Sequence, residues 1–152
     1  MRICLVLEGS YPYVHGGVST WMHAYIQAMP WQEFSLWVIG AKAQDRGKFV
    51  YELPPNGKEA VDIFEAGEAG FFDLILMDIQ MPEMDGYEAA RRIRQSSHPD
   101  AKTITIIAVT ANAFQEDLDR ALAAGMNDAV TKPLDVAALI DKISRIEKGE
   151  QI

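Results

Sequence analysis

A chain of 152 residues has the usual length of one compact domain with a buried core. Apolar residues make up 49% and charged residues 24%, which is ordinary for a globular protein and argues against disorder. The net charge of -8 argues against a nucleic-acid partner, because such binding needs clustered lysine and arginine. No apolar run approaches the ~18 residues of a membrane span, and the first residues lack the pattern of a signal peptide. We therefore expect a cytoplasmic protein without a membrane partner.

Short apolar runs alternate along the chain with segments whose apolar residues have helical spacing. The runs predict strands at 2–7, 34–39, 73–77, 103–109 and 129–131, and the helical segments predict helices at 18–29, 58–68, 87–95, 115–124 and 136–146. An extra hairpin at the sheet edge would fit residues 41–53. The alternation favours a doubly wound α/β fold, with a parallel sheet and helices on both faces. We predict one domain over 1–152.

Three of the predicted strands end in polar residues. Asp78 follows the third strand, Thr110 ends the fourth and Lys132 follows the fifth. Ligands of parallel α/β sheets bind outside the carboxyl ends of the strands, so we expect these side chains to share one crevice. The set suits phosphoryl transfer to a carboxylate, with Asp78 as nucleophile, Thr110 and Lys132 binding phosphoryl oxygens, and a divalent ion offsetting charge. Taken singly, each would more often be a solvated turn residue.

Three segments together are similar to a known family. DIQMPEMDGYE at 78–88 resembles the phosphorylation loop of response-regulator receivers, CheY-like domains of two-component systems, and AVTANAF and GMNDAVTKPL resemble their fourth and fifth strand ends. The resemblance covers about 56–150 and is most like receivers of hybrid sensor kinases. It implies a flavodoxin-like five-stranded sheet of order 2-1-3-4-5. It also implies that a histidine kinase phosphorylates Asp78, that Thr110 and Lys132 contact the phosphoryl group, and that Mg²⁺ is required.

Two positions depart from the receiver pattern. Receivers end their first strand in two adjacent acidic residues that hold magnesium, whereas this chain has Leu7 and Glu8 there. We therefore expect a weakened Mg²⁺ site formed by Glu8, Asp78 and the backbone carbonyl of Gln80, since Mg²⁺ demands near-ideal octahedral geometry. Ala129 stands where many receivers carry an aromatic ring that moves on activation, which predicts weaker switching.

The first 55 residues resemble a different family. EGSYPYV, HGGVS and YELPP are similar to the opening of retaining glycosyltransferases with two Rossmann-like domains, of the family-4 type that includes the PelF enzymes. The resemblance implies that Gly16 and Gly17 border a sugar-nucleotide cleft, where their amides could meet an anion. Paired glycines more often simply permit a tight turn. This chain has no counterpart of the second domain of those enzymes, so we do not expect glycosyl transfer.

Charge also changes between the two parts. Residues 1–55 hold four basic and four acidic side chains, whereas 56–152 hold 10 basic and 18 acidic ones and so carry the whole charge of -8. All three tryptophans lie in the first part. We interpret the chain as an engineered chimera, a glycosyltransferase-derived β-α-β segment at 1–55 joined to a receiver-derived segment at 56–152. The two segments would form one hybrid domain, because a receiver begins with the same β-α-β unit.

Three functions follow from this interpretation. The first is a chimera that is not an enzyme and has no intact physiological function, with at most residual phosphorylation of Asp78. The alternative is a working phosphoacceptor receiver, and the weakest is a sugar-nucleotide binder acting through Gly16 and Gly17. Receivers dock histidine kinases through their first helix, which is foreign here, so partner recognition should suffer most. A monomer and a domain-swapped dimer both stay open.

Overall fold

The computed structural model describes residues 1–8, 27–28, 31–39, 57–111, 114–132, 134–150 and 152. In this part of the chain, five strands are formed: β1 Arg2–Glu8, β2 Glu33–Ile39, β3 Leu74–Asp78, β4 Thr105–Thr110 and β5 Asp128–Thr131. Four helices are described in full: α1 Gly57–Ala66, α2 Gly86–Gln95, α3 Gln115–Ala123 and α4 Val136–Glu147. Of the predicted helix at 18–29, residues 27–28 are described and are helical. The hairpin predicted within 41–53 lies outside the described residues.

The strands form one parallel sheet of order β2-β1-β3-β4-β5. β3 is central, with Leu74 paired to Ile3 of β1 and to Thr105 of β4. All five of its residues are buried, as expected for a parallel strand that is covered on both faces. The predicted doubly wound parallel α/β sheet is therefore confirmed.

Helices cover the sheet on both faces. Ile75 and Met77 of β3 belong to an apolar cluster that includes α1, α2 and α3, whereas Leu74 and Leu76 pack with Leu139 of α4. Successive strand residues point to opposite faces, which divides the core into these two layers. The carboxyl ends of the parallel strands lie at one edge of the sheet.

The observed boundaries differ from the predicted ones by one or two residues. The fourth strand begins at Thr105, because the amides of Thr103 and Ile104 donate to the carbonyl of Asp100 at 3.0 Å and 2.8 Å and form a turn. The first described helix ends at Ala66 rather than at residue 68. Hydrogen bonds outside the strand pattern, which apolar periodicity does not report, decide such ends.

Among the residues that the structure describes, no helix has both the length and the apolar character needed to cross a membrane.

Candidate functional site

Asp78, Thr110 and Lys132 lie together at the carboxyl edge of the sheet. Asp78 is the last residue of β3 and pairs with Val109 of β4, so Thr110 lies one residue further along the adjacent strand. Thr110 pairs with Thr131 of β5, and its carbonyl accepts the amide of Lys132 at 2.7 Å. Strand pairing alone therefore brings these three residues, predicted from sequence to converge, to neighbouring positions at the carboxyl edge of the sheet.

The carboxylate of Asp78 is held on both of its oxygens. Its side chain is 1% exposed, and its Oδ2 accepts from the ammonium of Lys132. Its Oδ1 accepts the backbone amide of Gln80 at 3.1 Å. A buried carboxylate is costly without such partners, so the ammonium and the amide offset the cost of burying Asp78 and fix the orientation of its side chain.

The loop at 79–85 is folded tightly against the sheet. Its first amide, from Ile79, donates to Val109 at 3.1 Å, and the carbonyl of Ile79 accepts the amide of Gly86 at 3.0 Å. Asp85 then caps α2, accepting the amide of Glu88 through Oδ1 at 2.8 Å. The backbone that follows Asp78 is therefore fixed at both ends.

Gly86 is a site residue that the sequence analysis did not single out. A Cβ at this position would lie 2.3 Å from the carbonyl oxygen of Asp78 and 2.9 Å from the Cα of Ile79. The Asp-Gly dipeptide is a turn signal in the sequence, but the close approach to the backbone of Asp78 appears only in three dimensions. Any side chain here would displace the backbone of Asp78.

The predicted magnesium ligands are described in part. Asp78 and the backbone of Gln80 lie at the carboxyl edge, and β1 reaches the same edge, because Val6 pairs with Met77 and Glu8 is two residues further on. The side chain of Glu8 lies outside the described residues. Within the described part, no three His, Cys, Asp or Glu side chains form a group that could hold a metal. Carboxylate and carbonyl oxygens are the ligand types that Mg²⁺ takes, so Asp78 and the carbonyl of Gln80 are chemically suited to it, and Glu8 stays a predicted ligand.

Other predicted features can be placed or set aside. Ala129, on β5, is partly buried and packs against the cluster shared with α1 to α3, so a small side chain occupies the position predicted to lack an aromatic ring. Tyr87 lies on α2, just after the loop, and is 5% exposed. The guanidinium of Arg120 lies 4.9 Å from the centroid of its ring. Gly16 and Gly17, the weak anion-binding candidates, lie outside the described residues.

Known proteins share this fold. A family model described as "Domain of unknown function (DUF3492)" matches residues 1–130. The receiver domain of a sensor histidine kinase from Pseudomonas aeruginosa PAO1, solved with a magnesium ion coordinated in its active site cleft, is 30% identical. It superposes with a TM-score of 0.66 over 95% of this chain and 94% of that one. The chain belongs to the DUF3492 family and to the receiver domains of two-component systems.

Further relatives agree with the receiver assignment. A yeast receiver domain, from a response regulator of Saccharomyces cerevisiae co-crystallised with a histidine phosphotransfer signaling protein, is 25% identical with a TM-score of 0.64 over 99% of this chain and 92% of that one. The histidine-protein kinase BarA of Escherichia coli (strain K12) is 40% identical over 118 residues, 78% of this chain and 12% of that protein. Probable histidine kinase 2 of Oryza sativa subsp. indica is 37% identical over 112 residues, 66% of this chain and 11% of that protein. The chain thus spans about a tenth of these kinases.

The predicted glycosyltransferase ancestry of 1–55 stays a prediction. The DUF3492 match runs through residue 55 and on to residue 130, so it neither marks a junction at that point nor names a function for the first segment.

Proposed function

We propose that this chain is a phosphoacceptor receiver and that Asp78 takes the phosphoryl group. One observation carries the proposal: a carboxylate that is 1% exposed ends the central strand and is paired with the ammonium of Lys132. Thr110 ends the neighbouring strand and is 7% exposed. Burying a carboxylate lowers stability unless it is well compensated, so such a residue at the carboxyl edge of a parallel sheet, where ligands of α/β sheets bind, indicates function. The family membership supports the same conclusion.

The proposed chemistry is transfer from a phosphohistidine or from a small acyl phosphate. An oxygen of Asp78 attacks phosphorus and a P–O bond forms, while the P–N bond of the phosphohistidine breaks and its imidazole leaves and takes up a proton. With acetyl phosphate, a P–O bond breaks and acetate leaves. In this proposal Lys132 and Thr110 hold the phosphoryl oxygens, the ammonium by charge and the hydroxyl by hydrogen bonding. The chain is then a reactant in the transfer and not an enzyme for a separate substrate.

We infer that Mg²⁺ binds beside Asp78, held by that carboxylate, the carbonyl of Gln80 and the carboxylate of Glu8. The bound ion would offset the negative charge that gathers as two anions approach. The relative from Pseudomonas aeruginosa has a magnesium ion in the corresponding cleft, which supports the inference. A single acidic residue at the end of β1 predicts weak affinity. A rise in melting temperature with Mg²⁺, smaller in Glu8→Gln than in the unsubstituted protein, tests these ligands directly.

The proposed partner is a histidine kinase or a histidine phosphotransfer protein. The support comes from the relatives, which include a hybrid histidine kinase of Dictyostelium discoideum and a receiver crystallised with a phosphotransfer protein. The predicted docking helix at 18–29 resembles another family, so we expect slower transfer from a protein donor than from a small one. Comparing phosphorylation by a phosphorylated phosphotransfer protein with phosphorylation by acetyl phosphate separates docking from chemistry.

Intact mass after incubation with acetyl phosphate and Mg²⁺ tests the proposed function. The expected result is one added phosphoryl group that alkali removes, as for an acyl phosphate. Asp78→Asn is the matched control, because it keeps the shape of the side chain and removes the nucleophilic charge. A folded protein that gains no mass, or an Asp78→Asn variant that gains as much, would show that the chain is not a receiver working through Asp78.

The comparisons support a working receiver better than a hybrid without physiological function. We still propose a mixed origin, because 1–55 differ from 56–152 in charge balance and hold all three tryptophans. Tryptophan fluorescence reports on 1–55, whereas far-ultraviolet circular dichroism is dominated by the later helices. If the two segments share one core, both signals should show the same unfolding transition. Two separate transitions would contradict a single hybrid domain.

A further inference from the structure

We propose that Gly57, the first residue of α1, is a positioning residue for the phosphoacceptor Asp78. It would act through the backbone carbonyl of Met84, in the loop that joins Asp78 to α2. The inference rests on the proposed function of Asp78 and adds a residue, on a different helix, on which the reactivity of that carboxylate depends.

The contact between Gly57 and the loop leaves no room for a side chain. A Cβ at Gly57 would lie 2.4 Å from the carbonyl oxygen of Met84 and 3.1 Å from the Cε of Met81. A methyl group cannot approach an oxygen more closely than about 3.0 Å, so the carbonyl of Met84 would have to move by about 0.6 Å. The side chain of Met81 can turn aside, but the carbonyl belongs to the backbone and takes the chain with it.

A second glycine contact joins that carbonyl to the phosphoacceptor. Asp85 follows Met84 and caps α2, and Gly86 follows Asp85. Gly86 is pressed against the backbone of Asp78, where a Cβ would lie 2.3 Å from the Asp78 carbonyl oxygen. One residue, Asp85, therefore separates the contact made by Gly57 at Met84 from the contact that Gly86 makes with Asp78, and a displacement at one is passed to the other.

The loop has little freedom to absorb such a displacement. Its apolar side chains are buried, with Met81 8% and Met84 7% exposed, in the same cluster as the inner face of α1. Glu83 adopts a φ of 62°, a conformation that is strained for a residue with a Cβ. The amide of Met84 also donates to the carbonyl of Pro82 at 2.7 Å. Packing and hydrogen bonding therefore hold the loop in one conformation.

Gly57→Ala distinguishes a positioning role from a role in helix stability, because the two roles predict opposite changes. Alanine favours a helix more than glycine does, so α1 alone predicts a variant that is at least as stable. The contact with Met84 predicts slower phosphorylation, because an error of about 1 Å in a reacting group can cost on the order of 100-fold in rate. For the smaller displacement here we expect a rate constant at saturating acetyl phosphate about tenfold lower, with the half-saturating concentration changed much less.

The experiment compares the unsubstituted protein, Gly57→Ala and Glu65→Gly at saturating Mg²⁺. Glu65 is exposed in the last turn of the same helix, one residue before its end, so its replacement by glycine weakens α1 and adds no atom at the loop. Phosphorylation rates come from intact mass, and folding is checked by circular dichroism. The amide chemical shifts of the loop provide a second readout that does not depend on the stability of α1. Gly57→Ala should change the amide shifts of Ile79 and Gly86, whereas Glu65→Gly should leave them unchanged.

Each outcome decides the inference. A Gly57→Ala rate within twofold of the unsubstituted rate, unshifted loop amides, or an equal loss in Glu65→Gly would overturn it. An unsubstituted protein that is never phosphorylated would instead overturn the proposed function, and the amide shifts would still report whether Gly57 positions the loop. If Gly57→Ala does not fold, Gly57→Ala/Met84→Gly should, because glycine at 84 lets the carbonyl turn away. If that double variant also unfolds while Met84→Gly alone folds, the Met84 carbonyl is not the contact.

Discussion

Replacing Arg94 tests the connection between α2 and the strand that carries Lys132. The guanidinium donates through Nε to Gly125 at 2.7 Å, through Nη1 to Ala101 at 2.9 Å and through Nη2 to Asn127 at 3.0 Å. Two of these acceptors lie in the turn just before β5. One side chain therefore fixes the end of α2 to the start of that strand.

The expected loss follows from the number of hydrogen bonds. Arg94→Met keeps the apolar stem and removes all three, at about 1 kcal/mol each for a half-buried group. The total of about 3 kcal/mol corresponds to a fall in melting temperature of roughly 6–12 °C. Burial lowers the pKa of the Arg94 guanidinium, but arginine stays charged at neutral pH. Arg94→Lys should lose about 2 kcal/mol, because one ammonium cannot reach three separated acceptors.

The assay is urea unfolding measured by circular dichroism. The denaturant slope should be the same for all variants, so that a change in midpoint reports a change in stability. Arg91→Met is the matched control on the same helix. Its guanidinium is half exposed and reaches Glu88 at 3.4 Å, and such surface pairs contribute about 0.5 kcal/mol. If Arg94→Met loses no more stability than Arg91→Met, or if lysine replaces Arg94 without loss, the network does not stabilise the fold as argued.

Three other perturbations have defined outcomes. Burial, with a smaller contribution from Asp117, raises the pKa of the Tyr87 phenol, so the folded state keeps its proton more tightly than the unfolded chain. That stabilisation is complete below a pH of about 10 and is lost as the pH rises through the raised pKa. In an alkaline titration followed by phenolate absorbance, Tyr87→Phe should lack one late-titrating group. Glu83→Gly should raise the free energy of unfolding by about 1 kcal/mol, because it relieves a left-handed conformation, and a lower melting temperature would contradict this. Lys132→Met removes the ammonium from the buried Asp78 carboxylate and should cost about 2 kcal/mol in urea unfolding, most of which Lys132→Met/Asp78→Asn should recover.

The sequence predicted the features that depend on periodicity and on strand direction. Continuous apolar runs located all five strands, and parallel strands place their carboxyl ends at one edge. Asp78, Thr110 and Lys132 could therefore be grouped without knowing a single distance. The receiver-like motifs added the expectation of phosphoryl transfer, which the family comparisons support at the level of the domain.

Contacts between distant segments could not be predicted in the same way. Gly57 follows an asparagine and Gly86 follows an aspartate, and both pairs look like ordinary turn signals in a sequence. Their closeness to the backbone of Met84 and of Asp78 depends on how two helices pack against one loop. The three acceptors of Arg94 are likewise brought together only by tertiary packing.

The ion pair between Asp78 and Lys132 works against the reaction that we propose. The same carboxylate oxygens that accept from Lys132 and from the amide of Gln80 must become free to attack phosphorus. A phosphoryl group carries more negative charge than a carboxylate, so Lys132 again has a favourable electrostatic partner once the product has formed. It has no such partner while Asp78 leaves the ion pair to attack phosphorus. The barrier therefore depends on what else offsets the charge of Asp78 at that moment. This makes the end of β1, where Leu7 and Glu8 stand in place of two acidic residues, the part of the chain on which the rate of phosphorylation should depend most strongly.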